Sequence, residues 1–126
     1  MTVIYDAGVL VAAERNNRDV WADHRVRLEG GLLPATTAPV VAQVSRSPRQ
    51  VQLHRFLRGC LVVPFAAEEA HEIGRLLGRC ALSDVVDAHV VTTAQRRSAS
   101  AILTSDPGDL RSLSAQLTKP VIVQGI

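Results

Sequence analysis

Residues 2–14 read TVIYDAGVLVAAE, and this short stretch decides the kind of fold that the sequence predicts. Residues 2–5 are an apolar run typical of a buried strand, and residues 8–15 are predicted to form a short helix. A single carboxylate, Asp6, stands at the junction. A strand that leads directly into a helix is the first half of a unit that builds a parallel sheet.

The rest of the chain repeats this alternation of strand and helix. Further strands are predicted at 33–37, 60–65, 101–104 and 120–123. Helices are predicted at 18–29, 40–46, 48–59, 66–80, 83–97 and 105–113. Strands joined by helices imply right-handed crossovers, so we expect a three-layer α/β/α fold with a mainly parallel sheet of roughly five strands. No segment resembles a linker, and residues 1–126 are therefore predicted to form one domain.

Composition excludes several classes of protein. Of the 126 residues, 47% are hydrophobic and 21% are charged, which is typical of a globular chain and too apolar for a disordered one. No apolar run reaches the ~18–20 residues that span a bilayer, and no secretory leader pattern opens the chain, so we expect a cytoplasmic protein. Cys60 and Cys80 lack metal-site spacing, which predicts reduced, packed thiols.

The net charge of +2 says little, but arginines are grouped along the chain. The group from Arg46 to Arg58 has two possible interpretations. These side chains can simply cover solvated helix faces, or they can contact a phosphate backbone, because guanidinium binds phosphate oxygens in a bidentate fork. Arg46 is the candidate phosphate contact of this group.

Several aspartates are predicted to meet at one edge of the sheet. Asp6 follows the first strand directly, and Asp106 follows the strand at 101–104 with Ser105 between them. Asp84 and Asp87 lie three residues apart in the first turn of a helix that is apolar nearly all round. Because the carboxyl ends of parallel strands share one edge, where ligands bind, we expect these side chains to lie close together.

Each aspartate also has an ordinary structural explanation. Asp6, Asp84 and Asp106 can cap the helices that follow them. Asp87 is harder to explain in this way, because it lies among valines and no lysine or arginine is within one helical turn. A divalent cation would supply the missing opposite charge, and carboxylates without nearby His or Cys suit Mg²⁺ or Mn²⁺. Such ions support hydrolysis of phosphodiesters.

Four stretches together resemble a known family. They are VIYDAGVLVAAE (3–14), APVVAQVSR (38–46), SDVVDAHVVTTAQRR (83–97) and AILTSDPGDL (101–110). In order and spacing they resemble the PIN-domain ribonucleases, specifically the VapC-type toxins of type II toxin–antitoxin systems. The resemblance implies a Mg²⁺- or Mn²⁺-dependent endoribonuclease that cuts tRNA or rRNA, inhibits translation, forms a homodimer and is neutralised by a VapB-type antitoxin.

The resemblance also assigns roles to residues. It places Asp6, Asp87 and Asp106 in the metal site, with Asp84 as a possible fourth acid. Thr104 and Ser105 match hydroxyl positions that could bond a ligand carboxylate or a phosphate, although they can also be ordinary strand-end hydroxyls.

One position departs from the family pattern. The second acid of the family is usually a glutamate, and the matching position here is Gln43. An amide oxygen can still bind a hard cation or orient a water, but it lacks the charge that holds the ion tightly. We interpret Gln43 as the mark of a subgroup with weaker metal affinity.

Three other functions are compatible with parts of the sequence. A catalytically inactive PIN-fold module that binds RNA would follow if Gln43 abolished turnover. A DNA nuclease is possible because the metal site does not read the 2′-OH. A phosphoacceptor receiver domain has similar length and an early aspartate, but the chain lacks an acid directly after the strand at 60–65, where such domains take the phosphoryl group.

Overall fold

All five strands of the sheet run in the same direction. The computed structural model describes residues 2–126. The strands, in chain order, are β1 (Val3–Tyr5), β2 (Ala35–Thr37), β3 (Leu61–Val63), β4 (Ala101–Thr104) and β5 (Val123–Gly125). They pair in the order β3-β2-β1-β4-β5, with Ile4 opposite both Ala35 and Ile102. The predicted α/β fold is confirmed, with a sheet that is parallel throughout.

Seven α-helices in residues 2–126 connect these strands. They are α1 (Ala7–Glu14), α2 (Arg18–Glu29), α3 (Ala38–Val44), α4 (Val51–Leu57), α5 (Ala70–Cys80), α6 (Val85–Arg96) and α7 (Gly108–Ala115). A 3₁₀ turn at Ala67–Glu69 precedes α5. Within the described part of the chain, no helix is both long enough and apolar enough to cross a membrane.

Helix α6 is the most deeply buried helix, as its composition predicted. Seven consecutive residues from Ala88 to Ala94 are buried. His89 is fully buried, its ring centroid lies 4.8 Å from that of Phe65, and burial lowers its pKa. This environment supports the interpretation of His89 as a packing residue rather than a ligand.

An aromatic cluster packs between α2, α4 and β1. The rings of Trp21 and Phe56 meet edge to face at 5.1 Å, and Phe56 also packs on Tyr5 at 5.4 Å. The Tyr5 hydroxyl and His24 Nδ1 are 2.9 Å apart. Phe56 and Tyr5 are fully buried and Trp21 is partly buried against them, so the cluster is part of the core rather than a platform for stacking bases.

Several predicted boundaries differ from the observed ones by one to four residues, and two of these differences have clear local reasons. Strand β5 begins at Val123 rather than at residue 120, because the backbone of Val121 is hydrogen-bonded to the Ser114 hydroxyl. That hydroxyl accepts the N–H of Val121 at 2.8 Å and donates to its C=O at 2.7 Å. Pro120 also lacks an N–H for the ladder. Helix α7 begins at Gly108 rather than at residue 105, because the backbone N–H of Asp106 donates a hydrogen bond to the Thr104 hydroxyl at 3.1 Å.

Candidate active site

The candidate site lies where the strand order reverses. The chain moves from β1 to β2 and β3 on one side of the sheet, and then crosses to β4 on the other side of β1. In open α/β sheets ligands bind at this switch point, outside the carboxyl ends of the strands. Asp6 follows β1 at this point, its backbone N–H donates to Leu103 O at 3.0 Å, and the residue is only 9% exposed.

A buried hydroxyl holds the Asp6 carboxylate in place. Thr104, the last residue of β4, is fully buried and donates a hydrogen bond from Oγ1 to Asp6 Oδ2 at 2.8 Å. Thr104 Oγ1 also accepts a hydrogen bond from the backbone N–H of Asp106, at 3.1 Å. One threonine therefore links the side chain that follows β1 to the backbone that follows β4.

Helix capping explains only one of the aspartates. Asp84 does cap α6, since its Oδ1 accepts the backbone N–H of Asp87 at 3.1 Å. Asp6 occupies the N-cap position of α1, but its side chain makes no capping hydrogen bond. Asp106 lies outside α7, whose N-cap position is Pro107 and which has no side-chain cap. The capping interpretation is therefore wrong for Asp6 and for Asp106.

Asp87 shows most clearly that the acids converge. Burial, and after it the charges of four other carboxylates, together raise its pKa from 3.8 to about 7. In decreasing order of effect these belong to Asp84, Asp6, Asp109 and Asp106. The carboxylates thus act on one another, as expected for acids at a single edge.

Asp109 was not among the site residues that the sequence suggested. The only signal in the sequence is its closeness to Asp106, three residues before it.

The donor chemistry of this cluster fits a hard divalent cation. All of its side chains offer carboxylate oxygens, which Mg²⁺ and Mn²⁺ prefer. Across residues 2–126, however, no three His, Cys, Asp or Glu side chains form a ready-made cage for a metal. Mg²⁺ tolerates this arrangement, because it keeps several waters and commonly takes only one or two carboxylates from the protein.

Gly8 allows the two halves of the site to approach each other. A Cβ added to Gly8 would lie 2.1 Å from Ser105 Oγ, 2.7 Å from Ser105 Cβ and 3.0 Å from Ser105 N. Real Cβ atoms essentially never lie less than 3.0 Å from another side chain's Cβ, so a residue with a side chain fits here only if the segment between Thr104 and Asp106 moves. Sequence reasoning missed this role, because a glycine in an apolar helix has no recognisable pattern.

We expect Gly8→Ala to disrupt the site. Overpacking of this kind costs about 1–3 kcal/mol, and the displaced Ser105 would pull Asp106 away from Asp6. Thermal unfolding and metal-dependent activity should both decline. Gly74→Ala in α5 is the matched control, because nothing lies within 4 Å of a Cβ there and alanine favours helix. Equal behaviour of the two variants would contradict the proposed steric role.

The remaining sequence-predicted residues are not joined to the acids by hydrogen bonds within residues 2–126. Gln43 is exposed in the last turn of α3. The Arg46 guanidinium donates to Ser45 O at 2.7 Å and to Ala42 O at 3.1 Å, so it caps the C-terminal end of α3. Ser105 is exposed beside Asp106. The suggested roles of Gln43, Arg46 and Ser105 remain predictions.

Comparison with solved structures identifies the fold. VapBC2 from Rickettsia felis, bound to a DNA fragment from their promoter, contains a chain that superposes with a TM-score of 0.71 at 17% identity, covering 100% of this chain and 99% of that one. FitAcB from Neisseria gonorrhoeae contains a chain with a TM-score of 0.63 at 15% identity, covering 96% and 95%. The expected PIN-like architecture is confirmed. No protein-family model and no curated protein matches the sequence.

Proposed function

We propose that this chain is a metal-dependent endoribonuclease of the VapC type, a cytoplasmic toxin that hydrolyses phosphodiester bonds in tRNA or rRNA. One observation supports this most strongly. The buried Asp6 carboxylate, held by Thr104, shares the switch point of a PIN-like sheet with Asp87, whose pKa is raised to about 7 partly by neighbouring carboxylates. A cluster of acids that repel each other in this position is better explained by a bound cation than by packing.

Asp6, Asp87 and Asp106 would hold a Mg²⁺ or Mn²⁺ ion, with Asp84 as a fourth acid. When bound, such an ion lowers the pKa of a water and neutralises charge on a phosphoryl group. The side chains around the ion would determine its position. Thr104 aims one oxygen of Asp6, and the capping bond from Asp84 to the backbone of Asp87 fixes the start of α6.

A VapB-type antitoxin is the proposed protein partner. The two similar structures described above carry the names VapBC2 and FitAcB, and the first is a protein–DNA complex. Large apolar side chains on the surface of this chain also support association with a partner or a second copy. Among the most exposed are Val26, Val51, Val85, Ile122 and Ile126. Val85 is next to Asp84, so a partner covering it would also obstruct the acids.

Cleavage of total cellular RNA by the purified protein tests the proposal. With Mg²⁺ or Mn²⁺ we expect discrete fragments, and with EDTA we expect none. The alternative is an inactive PIN-fold module that binds RNA, and Gln43 is the feature that favours it. Retained RNA binding without cleavage at any metal concentration, in protein shown to be folded, would decide for that alternative.

Gln43→Glu tests whether this position contributes to the metal site. A carboxylate would add the charge that the amide lacks, so we expect about 10-fold less Mg²⁺ to be needed for half-maximal activity. The measurement is a Mg²⁺ titration of RNA cleavage. Because Gln43 is exposed, the exchange should leave folding unchanged. An identical titration curve would exclude Gln43 as a ligand.

A further inference from the structure

Four exposed arginines surround one half-buried tryptophan where α2 packs on α4. On α2, Arg18 and Arg25 lie one turn before and one turn after Trp21. From α4, the Arg55 Cζ lies over the Trp21 ring, 5.8 Å from its centroid, and Arg58 follows three residues later. The four arginine side chains therefore form one surface, which we call the arginine face.

The sequence around this face leaves its charge uncompensated. Residues 30–67, which include α3 and α4, contain four arginines and no aspartate or glutamate. On α2, Asp19 and Asp23 lie on another flank of the helix, where they line a cavity shared with α1. Glu29, one turn after Arg25, marks the end of the arginine face. Cations and anions of α2 are thus separated, with the cations beside the acid-free helix α4.

No carboxylate pairs with the guanidinium groups of the face. Within residues 2–126, every ion pair involves Glu69 or Glu72, neither of which lies on α2 or α4. Arg55 is oriented by neutral groups instead, since its Nη1 donates to Gln52 Oε1 at 3.4 Å and the guanidinium lies over Trp21. A stacked guanidinium keeps its charge and its other N–H donors available. Arg55 is therefore a positioned cation whose charge no neighbouring acid neutralises.

We propose that the arginine face binds the phosphate backbone of RNA. Guanidinium binds phosphate oxygens in a bidentate fork, and unpaired cations displace the counterions of a nucleic acid. Arg18 and Arg25 are about 10 Å apart along the helix axis, so the face is long enough to contact more than one phosphate. These two side chains lie outside the group from Arg46 to Arg58 and join it only through the packing of α2 on α4. The choice of RNA rests on the proposed nuclease function, whereas affinity for a phosphate backbone does not.

The salt dependence of RNA binding tests the face in EDTA, where metal-dependent cleavage cannot occur. The probe is a fluorescein-labelled oligouridylate of about 12 nucleotides, whose uniform sequence removes base readout. For a single strand, each phosphate contact contributes about −0.7 to the slope of log K against log [NaCl]. We expect each of Arg18→Ala, Arg25→Ala, Arg55→Ala and Arg58→Ala to make the slope shallower by about 0.7. The double variant Arg25→Ala/Arg55→Ala should lose about 1.4.

Two further variants control for net charge and for folding. Arg75→Ala removes an exposed arginine from α5, so it changes the net charge equally and should keep the wild-type slope. Arg55→Lys retains a positive charge and should keep most of the slope that Arg55→Ala loses. Thermal unfolding of each variant verifies that it is folded. If lysine at position 55 lost as much slope as alanine, the role of its charge would be overturned.

The outcomes separate the arginine face from the nuclease. Wild-type slopes in all four alanine variants of the face, or an equal loss of slope in Arg75→Ala, would overturn the face. Cleavage of cellular RNA with Mg²⁺ alongside either result would leave the nuclease standing. Arginine-dependent RNA binding without cleavage at any metal concentration would overturn the nuclease and leave the face standing.

Discussion

Asp6→Asn is expected to reduce RNA cleavage at least 100-fold while the protein remains folded. The estimate follows from the ~10–100-fold losses seen when groups that merely support a metal ligand are removed. Asparagine keeps the shape of the side chain and an acceptor oxygen for the Thr104 hydroxyl, so the bond that spans 2.8 Å in the wild type can persist. Loss of the charge also removes one source of repulsion on Asp87. The measurement is the initial cleavage rate at saturating Mg²⁺, with circular dichroism and thermal unfolding as checks of folding.

Two threonine variants separate a catalytic role of Asp6 from a structural one. Thr104→Val removes the hydroxyl that orients Asp6, and we expect about a 10-fold loss of rate. Thr104→Ser retains the hydroxyl and should keep most of the activity. If Asp6→Asn cleaved RNA at the wild-type rate, the acid cluster would not be the active site. If valine and serine at position 104 behaved alike, the hydroxyl would not position Asp6.

The order of elements could be predicted because it depends on signals that extend over many residues. The apolar run before Asp6 and the all-round apolar composition of α6 both persist in the structure, and both Asp6 and Asp87 lie where the strand and helix ends suggested. A buried parallel strand needs apolar residues on both faces, and a central helix needs them on every side. These requirements leave few alternative arrangements for this chain.

Local geometry at the same residues could not be predicted, because sequence leaves several hydrogen-bond partners equally available. Asp6, Asp84 and Asp106 all had capping positions, yet only Asp84 uses its side chain in that way. The Asp6 side chain instead accepts a hydrogen bond from Thr104, which is 98 residues away from it in the chain. The need for glycine at position 8 likewise depends on Ser105, which approaches it only in the folded protein. The wrong start of α7 has the same origin, since the Thr104 hydroxyl takes the Asp106 N–H.

Asp87→Asn is expected to stabilise the metal-free protein at alkaline pH. The pKa of Asp87 is about 7 in the folded chain against an ordinary value of 3.8, so the folded state holds a proton that the unfolded state has released between these values. Its contribution to stability is therefore complete below about pH 4 and is lost as the pH rises to about 7. Asparagine carries no such penalty. Allowing for solvent screening of a half-buried group, we expect a gain on the order of 1–2 kcal/mol at pH 8 and little difference at pH 4.

Divalent ions should reverse this ranking of the two proteins. A cation at the acid cluster compensates the charge of Asp87, and at 100 times its dissociation constant it would stabilise the wild type by ~2.7 kcal/mol. Thermal unfolding at pH 8 with and without Mg²⁺ should therefore show a large shift for the wild type and a small one for Asp87→Asn. Glu68→Gln, at an exposed acid that does not raise the pKa of Asp87, is the control and should respond like the wild type. Because His24 and His89 also titrate with altered pKa, only the difference between variant and wild type isolates Asp87. Parallel stability curves for the two proteins from pH 4 to 8, with equal Mg²⁺ shifts, would show that Asp87 neither holds an extra proton nor binds the ion.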